Sequence, residues 1–258
     1  MRLEGDLGTL RRVTSQPPTP GITRMGTEIV NWYLVEEGGR LTAVDAGLPG
    51  YAKTLEADLA AHGHKLGDVE TVVLTHSDGD HFGMAARMHA AGARVLVHAG
   101  DDAKLRKPGP KSGDGAPARL VPLMVRPAFW RFMGHMARNG GAKPPTIDDA
   151  ETFADGDVLD VAGRPKAIHT PGHTDGHCAL LFESHRALFV GDELCTWNPL
   201  SGERGPRLMP KQFDVSYAQA VDSLARIESL DADLILPGHG DPWSGSPADA
   251  VAHARSSS

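Results

Sequence analysis

Four side chains able to bind a metal fall within six consecutive positions of this chain. They are His76, Asp78, Asp80 and His81, in the run Thr75-His76-Ser77-Asp78-Gly79-Asp80-His81. The cluster follows directly on an apolar, β-branched run, Thr71-Val72-Val73-Leu74. A strand that ends this way points its ligands from a sheet edge into one small volume. Imidazole nitrogens and carboxylate oxygens gathered at strand ends are the donor set of a hydrolytic metal site. Three later segments have the same character. His173 lies in Thr170-Pro171-Gly172-His173-Thr174-Asp175-Gly176-His177, Asp192 follows Val190-Gly191, and His239 lies in Pro237-Gly238-His239-Gly240. Neighbouring glycines let the backbone turn tightly at three of these places.

The remaining candidates carry less. His177 is close enough in sequence either to support a ligand from behind or to be an ordinary structural histidine. His62, His64, His89, His98, His135, His169, His185 and His253 are isolated and read as surface or core residues. The two cysteines, Cys178 and Cys195, have no CxxC spacing and read as buried free thiols. Cys195 stands near Asp192 without an activating partner in sequence. No G-x-S-x-G elbow, Walker loop or H-E-x-x-H helix is present.

The elements that must position these residues spell the same phrase twice. Glu28–Val35, a turn at 36–40 and Leu41–Val44 predict a hairpin that ends at Asp45. A helix over Tyr51–His62 follows, then the strand that delivers His76. In the second half, Cys178–Phe182, a turn at 183–186 and Ala187–Val190 predict a hairpin that ends at Asp192. A helix over Tyr217–Leu230 follows, with Ala220, Val221, Leu224 and Ile227 on one stripe, and then the strand Asp233–Leu236 before His239. The simplest architecture is an α/β, four-layer αββα sandwich: two sheets face to face, helices outside, ligand loops along one edge. Residues at about 101–150, rich in Pro and Gly, form an insertion within a single domain spanning 1–258. It contains an amphipathic helix over Pro127–Arg138 and reads as a lid or substrate wall. The tail Ser256-Ser257-Ser258 is expected to fray.

Composition narrows the function classes. A formal net charge of -7 argues against a nucleic-acid partner, and no apolar stretch is long enough to span a membrane. The N-terminal residues Met1–Asp6 lack the apolar core of a secretory signal, so a cytoplasmic location is expected. The charge is uneven. Residues 103–147 hold nine Lys/Arg and one acid, Asp114. This segment is either a solvated helical face or a basic rim that attracts an anionic small-molecule substrate. The oligomeric state is left open.

In order, Asp45 in Val44-Asp45-Ala46-Gly47, the His76–His81 cluster, His173, Asp192 and His239 resemble the motifs of the metallo-β-lactamase-fold superfamily, over nearly the whole chain. The resemblance implies two divalent metal ions, zinc in the first place. His76, residue 78 and His173 would hold one; Asp80, His81 and His239 the other; Asp192 would bridge them. Asp45 would orient a ligand rather than bind metal. The departure is Asp78, where the family usually has histidine. A carboxylate is a harder, shorter ligand and shifts preference toward iron or manganese.

What the resemblance implies chemically is hydrolysis of an ester, thioester, lactone or amide by a metal-bound hydroxide, with Asp80 steering it and carrying its proton. Quorum-lactone hydrolases of the superfamily usually have tyrosine three residues after the bridging acid; Cys195 stands there. Glyoxalase-II-like thioesterases share the look of Thr170–His177, but only 19 residues follow His239, too few for their substrate-binding extension. Exported β-lactamases carry a signal that is not visible here. The rival class is oxidative: an iron-dependent dioxygenase of the same fold would use His76, His173 and Asp192 as a two-His-one-carboxylate triad.

Overall fold

The computed structural model describes residues 18–109 and 124–257. The expectations at Met1–Asp6 and Ser258, and the part of the basic insertion at 110–123, lie outside the described residues. Strand β1 (Ile22–Gly26), β2 (Asn31–Glu37), β3 (Arg40–Val44), β4 (Val69–Val73), β5 (Arg94–His98) and β6 (Glu151–Phe153) form one sheet in that order. The first three pair antiparallel and β3 to β6 pair parallel. The second sheet runs β13 (Trp243–Ser244), β12 (Leu234–Pro237), β9 (Ala187–Gly191), β8 (Cys178–Phe182), β7 (Lys166–His169), with only β12 and β9 parallel. A small ribbon, β10 (Cys195–Trp197) with β11 (Arg204–Arg207), stands apart.

The period-two alternation of the strands builds three hydrophobic layers. In β2, Tyr33 and Val35 join Leu96 and Phe153 against Cys178, Leu180, Phe182 and Phe189 of the other sheet. Trp32 and Leu34 face the opposite way, toward α1 (Leu55–Ala60) and α2 (Ala85–Ala90), which contribute Leu55, Leu59, Ala85 and Met88. On the outer face of the second sheet, Leu181, Leu188 and Ile235 meet α5 (Tyr217–Ile227) and α6 (Pro247–Ser256). Helix, sheet, sheet, helix: the four expected layers are present. Truncating a residue such as Phe189, 1% exposed between the sheets, costs on the order of 3–5 kcal/mol.

Several boundaries differ from expectation, each for a local reason. The helix over 51–62 divides into a 3-10 turn at Pro49–Lys53 and the short α1, because Thr54 leaves helical geometry at φ -127° and ψ -1°. The first hairpin starts later and turns only at Gly38-Gly39; Glu28–Val30 instead turn the chain from β1 into β2. Val221 is 38% exposed, and Ser223 takes its place on the buried face of α5 with Ala220, Leu224 and Ile227. Ser256 does not fray: it closes α6, which begins at an N-cap where Ser246 Oγ accepts from Asp249 N at 3.1 Å.

The insertion has two described helices, α3 (Asp102–Arg106) and α4 (Pro127–Arg138). The amphipathic reading of Pro127–Arg138 matches α4 at both ends. Phe129, Phe132 and His135 are its buried face. Phe132 joins Ile29, Val30, Leu48 and Trp197 in a small cluster over the sheet edge where the ligand loops emerge.

Candidate metal centre

The edge shared by the two sheets gathers all seven sequence-predicted metal ligands. Three overlapping sets have ligand atoms within 4.8 Å of one another: His76, Asp78 and His173; His76, His81 and Asp192; and Asp80, His81 and His239. Asp192 lies centrally, 3.2 Å from His239 Nε2, 3.3 Å from His81 Nε2, 3.4 Å from His173 Nε2 and 4.0 Å from His76 Nε2. Asp78 approaches His173 Nε2 at 3.0 Å, and Asp80 approaches His239 Nε2 at 3.5 Å.

Each loop is shaped by bonds that its neighbours demand. After β4, Thr75 N–H donates to Asp45 Oδ1 at 2.8 Å, and the chain then turns through His81 N–H to Asp78 O, also 2.8 Å. That turn brings Asp78, Asp80 and His81 to one side. The His173 loop is tied to the start of α5 by Ser216 N–H to Gly172 O and Val215 N–H to His173 O. The loop after β12 can pass the centre only as glycine: a Cβ on Gly238 would meet His81 Cε1, and Asp192 Oδ1 at 2.6 Å.

The outer ring nitrogens decide which way the imidazoles face. His239 Nδ1 lies 2.5 Å from Ile29 O, an oxygen that only accepts, so Nδ1 carries the proton and Nε2 turns a lone pair inward. His81 Nδ1 donates to Asp45 Oδ2 at 2.8 Å and His173 Nδ1 to Asp214 Oδ1 at 2.9 Å. Thr75 Oγ1 gives its proton to Asp45, so it accepts from His76 Nδ1 at 3.0 Å. Four histidines thus present Nε2 to one volume, each fixed from behind, the arrangement that metal-binding histidines require. His177 does not join them: its Nε2 accepts from Asp192 N–H at 3.0 Å, and its Nδ1 meets Thr170 Oγ1 at 2.8 Å. It orients Asp192, and its lone pair is used.

Within this cluster His76 Nε2, His81 Nε2 and Asp192 Oδ1 are buried without a hydrogen-bond partner. An unsatisfied buried polar atom is costly, about 1–3 kcal/mol each. Three of them converging, with nitrogen and carboxylate donors only, fit divalent cations. The charge balance agrees. Burial favours the neutral form of Asp192, but the His239 and His81 imidazoles outweigh it and hold its pKa well below the usual carboxylate range. Burial likewise opposes a charge on His81, yet Asp192, Asp45 and Asp80 together raise its pKa well above the ordinary histidine value. His76, buried and facing His81, is pushed well down. The same carboxylates raise the His239 pKa, so a cation held here would compete with protons for His81 and His239.

Asp45 sits at the end of β3 with φ 60°, a left-handed backbone for a residue with a Cβ, at a cost of about 1–2 kcal/mol. Its carboxylate serves Thr75 and His81 together, as its position at a strand end suggested. Sequence reading missed the comparable residues on the other side. Asp214 orients His173 from 41 residues away. Asp101 accepts from Ser77 N–H, Thr174 Oγ1 and Gly176 N–H, joining the first ligand loop to the His173 loop. Neither belongs to a motif. Their only sequence signal is an acid near the end of an apolar strand or before a helix cap.

The buried cysteines behave as structural thiols: burial pushes both well above the normal range, and Cys195 Sγ donates to Leu208 O at 3.8 Å. The basic insertion is partly neutralised among the described residues, Arg106 by Asp102 and Arg131 by Glu28. Phe132 of α4 stacks edge-on to His239 with ring centroids 5.8 Å apart. No helix among the described residues is long and apolar enough to cross a membrane.

Comparison with known proteins agrees with this geometry. Residues 25–239 match the family model of the metallo-beta-lactamase superfamily. The chain is 30% identical over 234 residues to the probable metallo-hydrolase YqjP of Bacillus subtilis, covering 87% of this chain and 70% of that protein. A shorter match, 38% over 92 residues, is to a hydroxyacylglutathione hydrolase of Francisella philomiragia, covering 35% of this chain and 33% of that one. Among solved structures, the metallo-beta-lactamase family protein TTHA1429 of Thermus thermophilus superposes with a TM-score of 0.65 at 28% identity, over 92% of this chain and 80% of that one. The matched span runs from β1 to His239 and so takes in every ligand loop: the chain belongs to the metallo-beta-lactamase superfamily.

Proposed function

We propose that this metallo-hydrolase-family chain cleaves an ester, thioester, lactone or amide bond of a small, anionic molecule at a dinuclear centre. In this reading His76, Asp78 and His173 would hold one cation and Asp80, His81 and His239 the other, with Asp192 available to either. The observation that carries it is the convergence of three buried atoms without a hydrogen bond, His76 Nε2, His81 Nε2 and Asp192 Oδ1, with the outer nitrogens of all four histidines already committed. A bound divalent cation supplies Lewis acidity and a water acidic enough to ionise near neutral pH.

The protein's own contribution centres on Asp80. Burial raises its pKa against the opposing pull of His81 and His239, so this carboxylate is suited to take up a proton. It accepts the proton of the attacking water and returns it to the leaving oxygen, sulfur or nitrogen as the carbon–heteroatom bond breaks. Asp78 favours harder cations at the first half-site, with manganese or iron competing with zinc. Phe132 and its helix exclude water from the His239 side.

The anionic preference rests on cations that remain uncompensated. Lys53 and Arg138, which have no ion pair with a described residue, line a cavity of about 340 Å³ with Tyr51, His135 and Asn139, against one acid, Asp58. Replacing both by Gln should raise KM for an acidic ester and flatten its salt dependence, with a neutral ester unaffected.

The test is a panel of an acetate ester, an acyl thioester and a lactone, offered to chelator-stripped protein reloaded with zinc, manganese or iron. Turnover of at least one substrate should rise about a hundredfold or more on reloading. Equal turnover by the stripped protein, or oxygen consumption with iron and no hydrolysis, overturns the reading.

A further inference from the structure

His239 belongs to the second sheet, yet the first sheet holds it. The loop at 237–241 offers five backbone carbonyls, and every one is engaged. Pro237 O accepts from Tyr33 Oη at 2.8 Å and Asn31 Nδ2 at 3.0 Å. Gly238 O accepts from Asn31 N–H at 2.8 Å, and His239 O from Thr196 N–H at 3.0 Å. Gly240 O accepts from Asn31 Nδ2 at 2.6 Å and Arg24 Nη2 at 2.8 Å, and Asp241 O from Thr196 Oγ1 at 2.6 Å. The His239 ring itself donates to Ile29 O, in the turn between β1 and β2.

Arg24 sets the direction of this clamp. Its Nε donates to Asn31 Oδ1 at 2.9 Å, and because a guanidinium has no acceptor, Asn31 must turn its amide oxygen to Arg24 and its Nδ2 to the loop. Nη1 reaches Asp241 Oδ1 at 2.9 Å, so one fork grips both the amide and the loop. Arg24 is only 6% exposed and Asn31 is fully buried. Taking a guanidinium out of water is costly, and the apolar layers on either side of β1 and β2 do not need one. Its hydrogen bonds go to Asn31 and to the loop that carries His239.

We infer that Arg24 and Asn31 are positioning residues that hold His239 in place, so that the β1–β2 hairpin sets the metal affinity of the second half-site and not of the first. The inference rests on the metal-binding reading above. Removing the fork frees the Asn31 amide to rotate, takes from Gly240 O its Arg24 donor, leaves Pro237 O to Tyr33 alone once the amide turns, and lets His239 Nε2 drift from Asp80 and Asp192. Loss of such an outer support typically weakens a metal site about 10–100-fold.

The experiment is calorimetric titration of chelator-stripped full-length protein with manganese, in two backgrounds. In His173→Ala the remaining equivalent reports the second half-site, and Arg24→Met should weaken it about 10–100-fold. In His81→Ala the remaining equivalent reports the first half-site, and Arg24→Met should leave it unchanged within about twofold. Arg24→Lys keeps the charge but not the fork, and should fall between wild type and Arg24→Met in the first background; near-UV circular dichroism confirms that it folds. Unchanged affinity in His173→Ala, or equal weakening in both backgrounds, overturns the clamp. If protein without any substitution takes up no metal, the reading of the centre fails, and the clamp with it.

Discussion

The two half-sites of the proposed centre share Asp192 but are built differently. In the second, Asp80, His81 and His239 are 6%, 0% and 1% exposed, and the supports behind them come from both sheets: Asp45, the Ile29 carbonyl and the Arg24–Asn31 fork. In the first, the Asp78 side chain is 25% exposed, and the supports are Thr75 behind His76, Asp101 joining the loops and Asp214 orienting His173. The unusual ligand therefore stands in the half that solvent reaches. The enclosed half keeps the donor set its family leads one to expect. A ligand at the rim can change type without leaving a buried charge unpaired, whereas the same change at His81, fully enclosed against Asp45 and Asp192, would do so.

The largest effect should come from the residue that both halves share. Asp192→Ala is expected to abolish tight binding of both metals and to reduce turnover about a thousandfold or more, by metal analysis and steady-state kinetics. Retention of one tightly held metal would mean that the halves are more independent than their geometry suggests. Next, Asp214→Asn should weaken the first half-site alone by about 10–100-fold, the mirror image of the Arg24 effect. Competition between zinc and manganese in stripped protein would read it. Asp78→His replaces the harder donor and should move the first half-site toward zinc by about tenfold, with the second unchanged.

The smallest effect concerns the helix that closes the second side. Burial holds the His135 pKa down to about 4, and its Nε2 lies 2.6 Å from Tyr51 Oη. An unfolded histidine takes up its proton near pH 6.5, the folded one only near 4. Between these values the unfolded chain binds more protons, so stability rises with pH and is lost as pH falls through this window. Going from pH 7 to pH 5, His135→Leu should lose about 2–4 °C less in Tm than the unsubstituted protein, both stripped of metal. An identical loss in both would remove His135 from the account.

How much of this was legible in the sequence follows from what each feature depends on. The layers and ligand loops were legible because the apolar runs of β2 and β8, the polar turns that follow them, and the acids and histidines ending the strands are local patterns. The helix α4 was readable from its amphipathic spacing alone. Asp101, Asp214 and the Arg24–Asn31 fork were not. They act across separations of 24, 41 and more than two hundred residues, where no periodicity links donor to acceptor. The divided helix at 49–60 was missed because Thr54 is compatible with helix and yields to tertiary packing. The basic segment 103–147 looked like one charged surface, but pairing of Arg106 and Arg131 with Asp102 and Glu28 depends on side chains the charge count could not place.

The central claim, a hydrolytic centre that needs both halves, is tested most directly by stoichiometric activation. Manganese would be added stepwise to stripped protein, with hydrolysis of the best panel substrate followed at each step. The account predicts little turnover up to one equivalent, as the enclosed half-site fills, and a steep rise between one and two. Full turnover at a single equivalent, or turnover that ignores metal, would contradict it.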